Sequence, residues 1–281
     1  KKIINEIDKT ALQKEFIFIN AKYQESVFDK NKIDIKIFFE ETEKYFVDRI
    51  NIFGNFITEE KVIRNALIVD EGDAYNKILF NKSINEIKAK GIFKSVTSVV
   101  NDSDINKNKI INITVEEKAT GEISLGAGTG TAGATVGFSV KENNFLGKGI
   151  NFNLSTTVTE ETVKGQFYVN NPNFNNTDQT VYLGFDAIEI DRSTEFGYKT
   201  NKTGFTTGTK FEYLDDLNLG IGISNFYEKI KTDKSASALQ KTQDGNYWDS
   251  FLKLDLDFDK RNQKYKTSEG FRSNYSLNLP L

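Results

Sequence analysis

The stretch Ile150-Asn151-Phe152-Asn153-Leu154-Ser155-Thr156-Thr157-Val158 decides the fold of the second half of the chain. Ile150, Phe152, Leu154, Thr156 and Val158 take one set of alternate positions, and Asn151, Asn153, Ser155 and Thr157 take the other. Successive side chains of a β-strand point to opposite faces, so the spacing predicts a strand with one apolar and one polar wall. The same period runs upstream through Ala134, Val136, Phe138 and Val140, and downstream through Val163, Gly165, Phe167 and Val169. It returns at Val181 to Ala187, Phe205 to Tyr213, Leu217 to Ile223, Trp248 to Phe258 and Phe271 to Leu281. With Gly121 to Gly130 as a glycine-rich first strand, about nine antiparallel strands are expected. A membrane barrel, apolar wall to lipid and polar wall to water, fits this pattern, and a soluble all-β domain alternates in the same way. Tyr168, Phe174, Tyr182, Tyr198, Tyr213, Tyr227, Tyr247 and Trp248 suit either interfacial girdles or ordinary sheet packing.

Glycine separates this region from what precedes it: only Gly54, Gly72 and Gly91 lie before residue 119, against 17 of the 20 glycines after it. The first half has a mixed period. Tyr45 to Phe53 reads as a strand of imperfect alternation, with Val47, Arg49, Asn51 and Phe53 opposite Phe46, Asp48, Ile50 and Ile52. Thr58 is placed to cap a short helix carrying Val62, Ile63, Ala66 and Leu67. Asn76 is placed to cap a second helix through Lys90, with Ile78, Leu79, Ile84 and Ile87 inward and Gly91 at its stop. Strands at Ile92 to Val100 and Ile110 to Val115 complete a β-α-α-β-β order, whose natural packing is two helices on a small sheet. Residues 1–41 read as the end of a similar unit, with a helical Ile3-to-Leu12 stretch and strands at Phe16 to Ile19 and Ile33 to Phe39. With no Met even at position 1, the sequence is expected to be a piece of a longer chain.

Composition narrows the chemistry. The 281 residues contain neither Cys nor His, which removes thiolate metal sites, cysteine nucleophiles and the commonest neutral-pH base. Neither metal nor cofactor is expected. Asp255, Asp257 and Asp259 alternate on one strand face, which accounts for them without calcium. The 37 basic and 40 acidic residues leave a net charge of -3, which gives no field toward nucleic acid. No apolar run approaches the roughly 20 residues of a membrane helix, which leaves a barrel open.

Tyr45 to Asn55, Thr58 to Arg64 and Glu71 to Asn76 together resemble the last POTRA domain of the BamA family of outer-membrane protein assembly factors. Gly91 to Val96, Val115 to Gly121 and Asn143 to Gly149 continue the resemblance in the same order, and Asn170 to Phe174, Phe258 to Asn262 and Thr267 to Arg272 extend it into the barrel. The resemblance implies α+β POTRA repeats followed by an antiparallel transmembrane β-barrel fragment. Residues 1–41 would end the penultimate POTRA domain, 42–118 would form the final one, and 119–281 would supply about nine strands of a sixteen-stranded barrel.

It further implies a non-enzymatic role in the cell outer membrane, with POTRA domains in the periplasm. Expected partners are unfolded outer-membrane protein precursors, accessory lipoproteins of the assembly complex and outer-membrane lipid. Members of the family meet substrate at the seam between first and last strands. Here Gly121, Glu122, Ile123, Ser124, Leu125, Gly126, Ala127, Gly128 and Thr129 occupy the matching first strand. Gly126 and Gly128 would permit curvature or close approach, or simply relieve crowding in a bent sheet. Ile92, Phe93, Lys94, Ser95 and Val96 form a POTRA strand that would accept a partner strand or only complete its own sheet. A related POTRA-containing export pore and a soluble structural β-domain are the alternatives.

Overall fold

The computed structural model describes residues 7, 10, 11, 19–29, 32–41, 43–104, 108–130 and 133–281. Phe16, Ile17 and Phe18 of the first expected strand, and most of the helix expected at Ile3 to Leu12, lie outside them. The chain forms two units, residues 1–54 with 66–116 and residues 55–65 with 117–281.

The first unit begins with an antiparallel hairpin of β1 (Ile19–Asp29) and β2 (Lys32–Glu41). Beyond Ile19, β1 was not among the expected strands; Ala21, Tyr23 and Val27 alternate with Lys22, Gln24 and Ser26, and Glu25 alone interrupts the apolar set. A three-stranded sheet follows, β3 (Val47–Phe53), β4 (Phe93–Asp102) and β5 (Lys109–Glu117), in the order β3-β5-β4. β3 runs parallel to β5, and their register shifts between Val47 and Arg49. That bulge corrects the expected faces: Val47 and Ile50 are both buried at 2% exposure, although strict alternation sets them on opposite walls.

The first helix expected is α1 (Glu60–Arg64), which belongs to the second unit, and the second is α2 (Lys77–Ala89). Asn76 caps α2 as expected, its Oδ1 accepting the N–H groups of Ile78 at 2.8 Å and Leu79 at 3.2 Å. Gly91, at φ +68°, follows its end. Phe80, Ile84 and Ile87 on α2 are buried, as are Val96 on β4 and Ile111, Ile113 and Val115 on β5. Phe80 takes the inward position expected of Ile78 and Leu79, which stay partly exposed.

The second unit is built on one open antiparallel sheet of nine strands. These are β6 (Gly121–Gly130), β7 (Gly133–Phe145), β8 (Ile150–Thr159), β9 (Thr162–Asn171), β10 (Thr180–Arg192), β11 (Tyr198–Leu214), β12 (Leu217–Thr232), β13 (Gly245–Asp259) and β14 (Arg272–Pro280). Each pairs with its sequence neighbours, so β6 and β14 are the two edges. Directly paired residues share a face. Val140, Leu154, Phe167, Phe185 and Phe205 therefore form one apolar row across β7 to β11. That wall stays open to the surroundings, with Phe138, Leu154, Phe185 and Ile221 all exposed.

The polar wall carries cross-strand pairs such as Lys202 with Asp249 at 2.9 Å and with Glu228 at 3.3 Å. Tyr168 and Tyr182 lie on this wall, stacked with ring centroids 6.2 Å apart. They therefore do not join a girdle on the apolar wall, whereas Tyr227 and Trp248 pack together there at 5.2 Å. The register parity of β10 decides this: Tyr182 lies between Val181 and Leu183, both on the apolar face.

Candidate functional site

A strand edge presents unpaired N–H and C=O groups, and β6 is such an edge. Its inner side pairs with β7 from Gly121↔Glu142 to Gly130↔Gly133. No strand lies beside its outer side among the described residues. All ten residues are exposed. Ile123, Leu125 and Ala127 continue the apolar wall through their partners Val140, Phe138 and Val136. Glu122, Ser124, Gly126 and Gly128 continue the polar wall opposite Lys141, Ser139, Gly137 and Thr135.

Among the described residues nothing crowds the edge glycines. A Cβ built on Gly126, Gly128 or Gly130 has no described atom within 4 Å. Their effect is on the surface that β6 offers: a strip of bare backbone on the polar face, which lets another chain approach closely.

The second expected site, Ile92 to Val96, lies at β4, an edge of the small sheet. The opposite edge, β3, is already occupied by residues 72–75. Val47 N–H donates to Asp73 O at 2.8 Å, Gly72 N–H to Val47 O at 2.8 Å, and Tyr75 N–H to Tyr45 O at 2.8 Å. Beside β4 no strand is found among the described residues. Ile92, Phe93 and Val96 are buried, so their side chains serve the core and leave Lys94 and Ser95 as the exposed ones. Lys94 Nζ donates to Glu116 Oε1 at 2.6 Å and Ser95 Oγ to Glu116 Oε2 at 3.1 Å. The bond to Glu116 holds the Lys94 ammonium above its ordinary pKa, and the bonds from Lys94 and Ser95 hold Glu116 below the usual carboxylate range.

A third feature was not legible in the sequence. Thr58, expected as a helix cap, makes no such bond; α1 starts at Glu60 without a side-chain cap. Thr58 Oγ1 instead accepts from Asn144 Nδ2 at 2.9 Å, and Asn144 Oδ1 accepts the Gly149 N–H at 2.8 Å. The Glu117 carboxylate accepts the N–H groups of Ile57 at 3.0 Å and Thr58 at 2.6 Å. Burial pushes the Glu117 carboxyl up, but its bonds from Thr58, Ile57 and Phe56 outweigh that and hold it below the ordinary range. Glu59 N–H closes the clamp by donating to Gly147 O at 2.8 Å. The partners stand 59 and 86 residues apart, beyond the reach of any local period.

The three aspartates of β13 have separate partners: Asp257 pairs with Arg272 at 2.6 Å, Asp259 with Arg261 at 2.6 Å, and Asp255 lies 3.5 Å from Lys210. Among the described residues no group of three or more acidic, His or Cys side chains is placed to hold a metal ion.

An open antiparallel sheet with an exposed apolar wall, preceded by a small α+β module, defines a POTRA and β-barrel protein. Residues 144–280 match the Omp85 superfamily domain, and residues 45–118 match the POTRA model described as a surface antigen variable number repeat. The two matches follow one another in the order POTRA then Omp85 and leave residues 1–44 and 119–143 outside them. It is similar to the outer membrane protein assembly factor BamA of Neorickettsia risticii, at 25% identity over 76% of this chain and 29% of the relative. BamA of Buchnera aphidicola is 26% identical over 81% of this chain and 36% of its own length. The chain thus spans about a third of these curated relatives. In fold it matches the crystal structure of BamA from Haemophilus ducreyi lacking POTRA domains 1–3, with a TM-score of 0.68 at 16% identity over 100% of this chain and 57% of that one. CdiB from Acinetobacter baumannii matches with a TM-score of 0.56 at 10% identity over 98% of this chain and 53% of that one.

Proposed function

We propose that this chain is part of a core component of the outer-membrane β-barrel assembly machinery, which receives unfolded precursors and inserts them by strand pairing at a lateral gate. The observation that carries the reading is the first strand of the sheet, β6, bare of side chains at Gly126 and Gly128, in a chain whose relatives are named as outer membrane protein assembly factors. A precursor strand entering lipid carries unpaired amides, each costly in hydrocarbon. An exposed edge satisfies them temporarily, and the nascent barrel then satisfies them for good.

In this reading residues 42–118 are the final POTRA domain, in the periplasm, residues 1–41 end the one before it, and residues 119–281 are the first barrel strands in the outer membrane. The β4 edge takes a precursor strand or an accessory lipoprotein by β-augmentation through its backbone, Lys94 and Ser95. The work is hydrogen bonding and membrane geometry, so the chain is read as non-enzymatic, without cofactor or nucleic acid.

Photo-crosslinkers placed at positions 121–129 of the full-length protein test the gate. Precursor adducts at these positions, above those at the apolar-wall controls Phe138 and Leu154, are the expected result; equal yields would remove the gate. Depletion of the full-length protein separates assembly from export. Many outer-membrane barrels should fall together, and loss of a single exported substrate would favour the export pore instead.

A further inference from the structure

We infer that the two clamped turns, residues 55–58 and 145–149, form an anchor that enters the headgroup-to-acyl boundary of the membrane beside the barrel rim. Phe56 is 94% exposed, Ile57 72% and Leu146 70%. Three such neighbours on short turns are costly in water, and polar side chains would form the same turns.

The turns are one structure. The Ile57 carbonyl lies so close to Gly147 that a Cβ there would sit 2.0 Å from its oxygen. The bond from Glu59 N–H to Gly147 O and the Thr58–Asn144 pair fasten the two segments on either side of that contact.

Continuity with the apolar wall names the occupant. Phe145 pairs with Ile150 and lies 5.8 Å from Phe152 between ring centroids. Phe152 follows Phe167 at 5.9 Å, and Phe167 follows Phe185 at 6.3 Å. An aromatic row thus runs unbroken from the wall read as lipid-facing to Phe145, next to Leu146. Aromatic and apolar side chains at a barrel rim are the usual contacts with the interface.

Two backbone features suit a low dielectric. The N–H groups of Ile57 and Thr58 are already bonded to Glu117, so the turn leaves neither donor orphaned on leaving water. Leu146 holds φ +55°, a left-handed conformation that a branched side chain adopts only against strain. The apolar boundary that the anchor would enter accounts for a leucine at this 70% exposed position.

This inference rests on the membrane-barrel reading and is independent of the gate. The chain has no cysteine, so single nitroxide labels at Phe56→Cys, Ile57→Cys and Leu146→Cys report one site each after reconstitution in phosphatidylethanolamine and phosphatidylglycerol vesicles. Leu154→Cys on the apolar wall and Lys61→Cys on the solvent side of α1 are the references, and heat-modifiable migration confirms that each variant folds. The ratio of oxygen to water-soluble nickel chelate accessibility should be several-fold higher at 56, 57 and 146 than at 61, approaching that at 154. Values at all three sites equal to Lys61, with Leu154 still lipid-like, would overturn the anchor alone. Water-like values at Leu154 as well would overturn the barrel reading and the anchor with it.

Discussion

Glycine does opposite work at two places on the polar wall of the same sheet. Gly208 and Gly222 face each other across β11 and β12, and a Cβ on either would lie 2.5 Å or 2.4 Å from Tyr182 Oη. The Tyr182 ring fills the space these residues leave, is only 3% exposed, and has Lys210 and Lys253 at 5.9 Å and 5.8 Å from its centroid. A Cβ on Gly126 or Gly128 of β6 would meet no described atom within 4 Å. One pair of glycines is consumed by packing within the wall, and the other meets no described neighbour. Local sequence is nearly the same in both, a Gly-x-Gly or a lone Gly in an alternating strand, so only the neighbours distinguish the roles.

The largest expected effect breaks the packed side of this contrast. Tyr182→Ala removes the buried ring and should cost about 3–5 kcal/mol, read as a lower urea midpoint for the reconstituted chain. Gly222→Val overfills the same place and should cost about 1–3 kcal/mol. Adding Tyr182→Phe to that variant should recover part of the loss, because the hydroxyl is the nearest obstructing atom.

Glu117→Gln weakens the clamp and should cost about 1–2 kcal/mol by loss of charge-assisted hydrogen bonds. It also changes the pH response. The Glu117 pKa is lowered on folding, so its stabilisation is complete above the unfolded carboxylate pKa near about 4.3 and is lost as pH falls through the lower folded value. Acid titration of the unfolding midpoint should therefore fall less steeply for Glu117→Gln than for the parent chain, with no difference in slope near neutrality. At the edge, Gly126→Ala and Gly128→Ala should change stability by no more than about 0.5 kcal/mol, while lowering precursor crosslinking at positions 121–129. A large stability loss there would erase the distinction between the two glycine pairs.

Much of the architecture was legible. Every strand of the large sheet announces itself, because a wall with one polar face must repeat every second residue, as Ile150 to Val158 does. The Asn76 cap was legible for the same local reason, since its bonds reach only two and three residues ahead. Alternation failed at β3, where the bulge between Val47 and Arg49 changes parity without a glycine or proline to mark it. It also misled at Thr58, a good capping residue whose hydroxyl is claimed by Asn144. The resemblance to the BamA family directed attention to β6 and β4, but no sequence pattern showed that β3 is already covered by residues 72–75 and β4 is not.

The sequence by itself determined the period-two walls, the β-α-α-β-β order of the preceding module and the absence of His and Cys chemistry. These are properties of consecutive residues, and elementary strand and helix geometry converts them directly into local structure. Only the tertiary structure decided which glycines are filled and which meet no described neighbour, and that Thr58, Glu117 and Asn144 join two turns into one apolar-tipped clamp. The physical reason is that these are relations between surfaces distant in the chain. Register and hydrogen-bond competition set them, and neither leaves a mark on the residues next door.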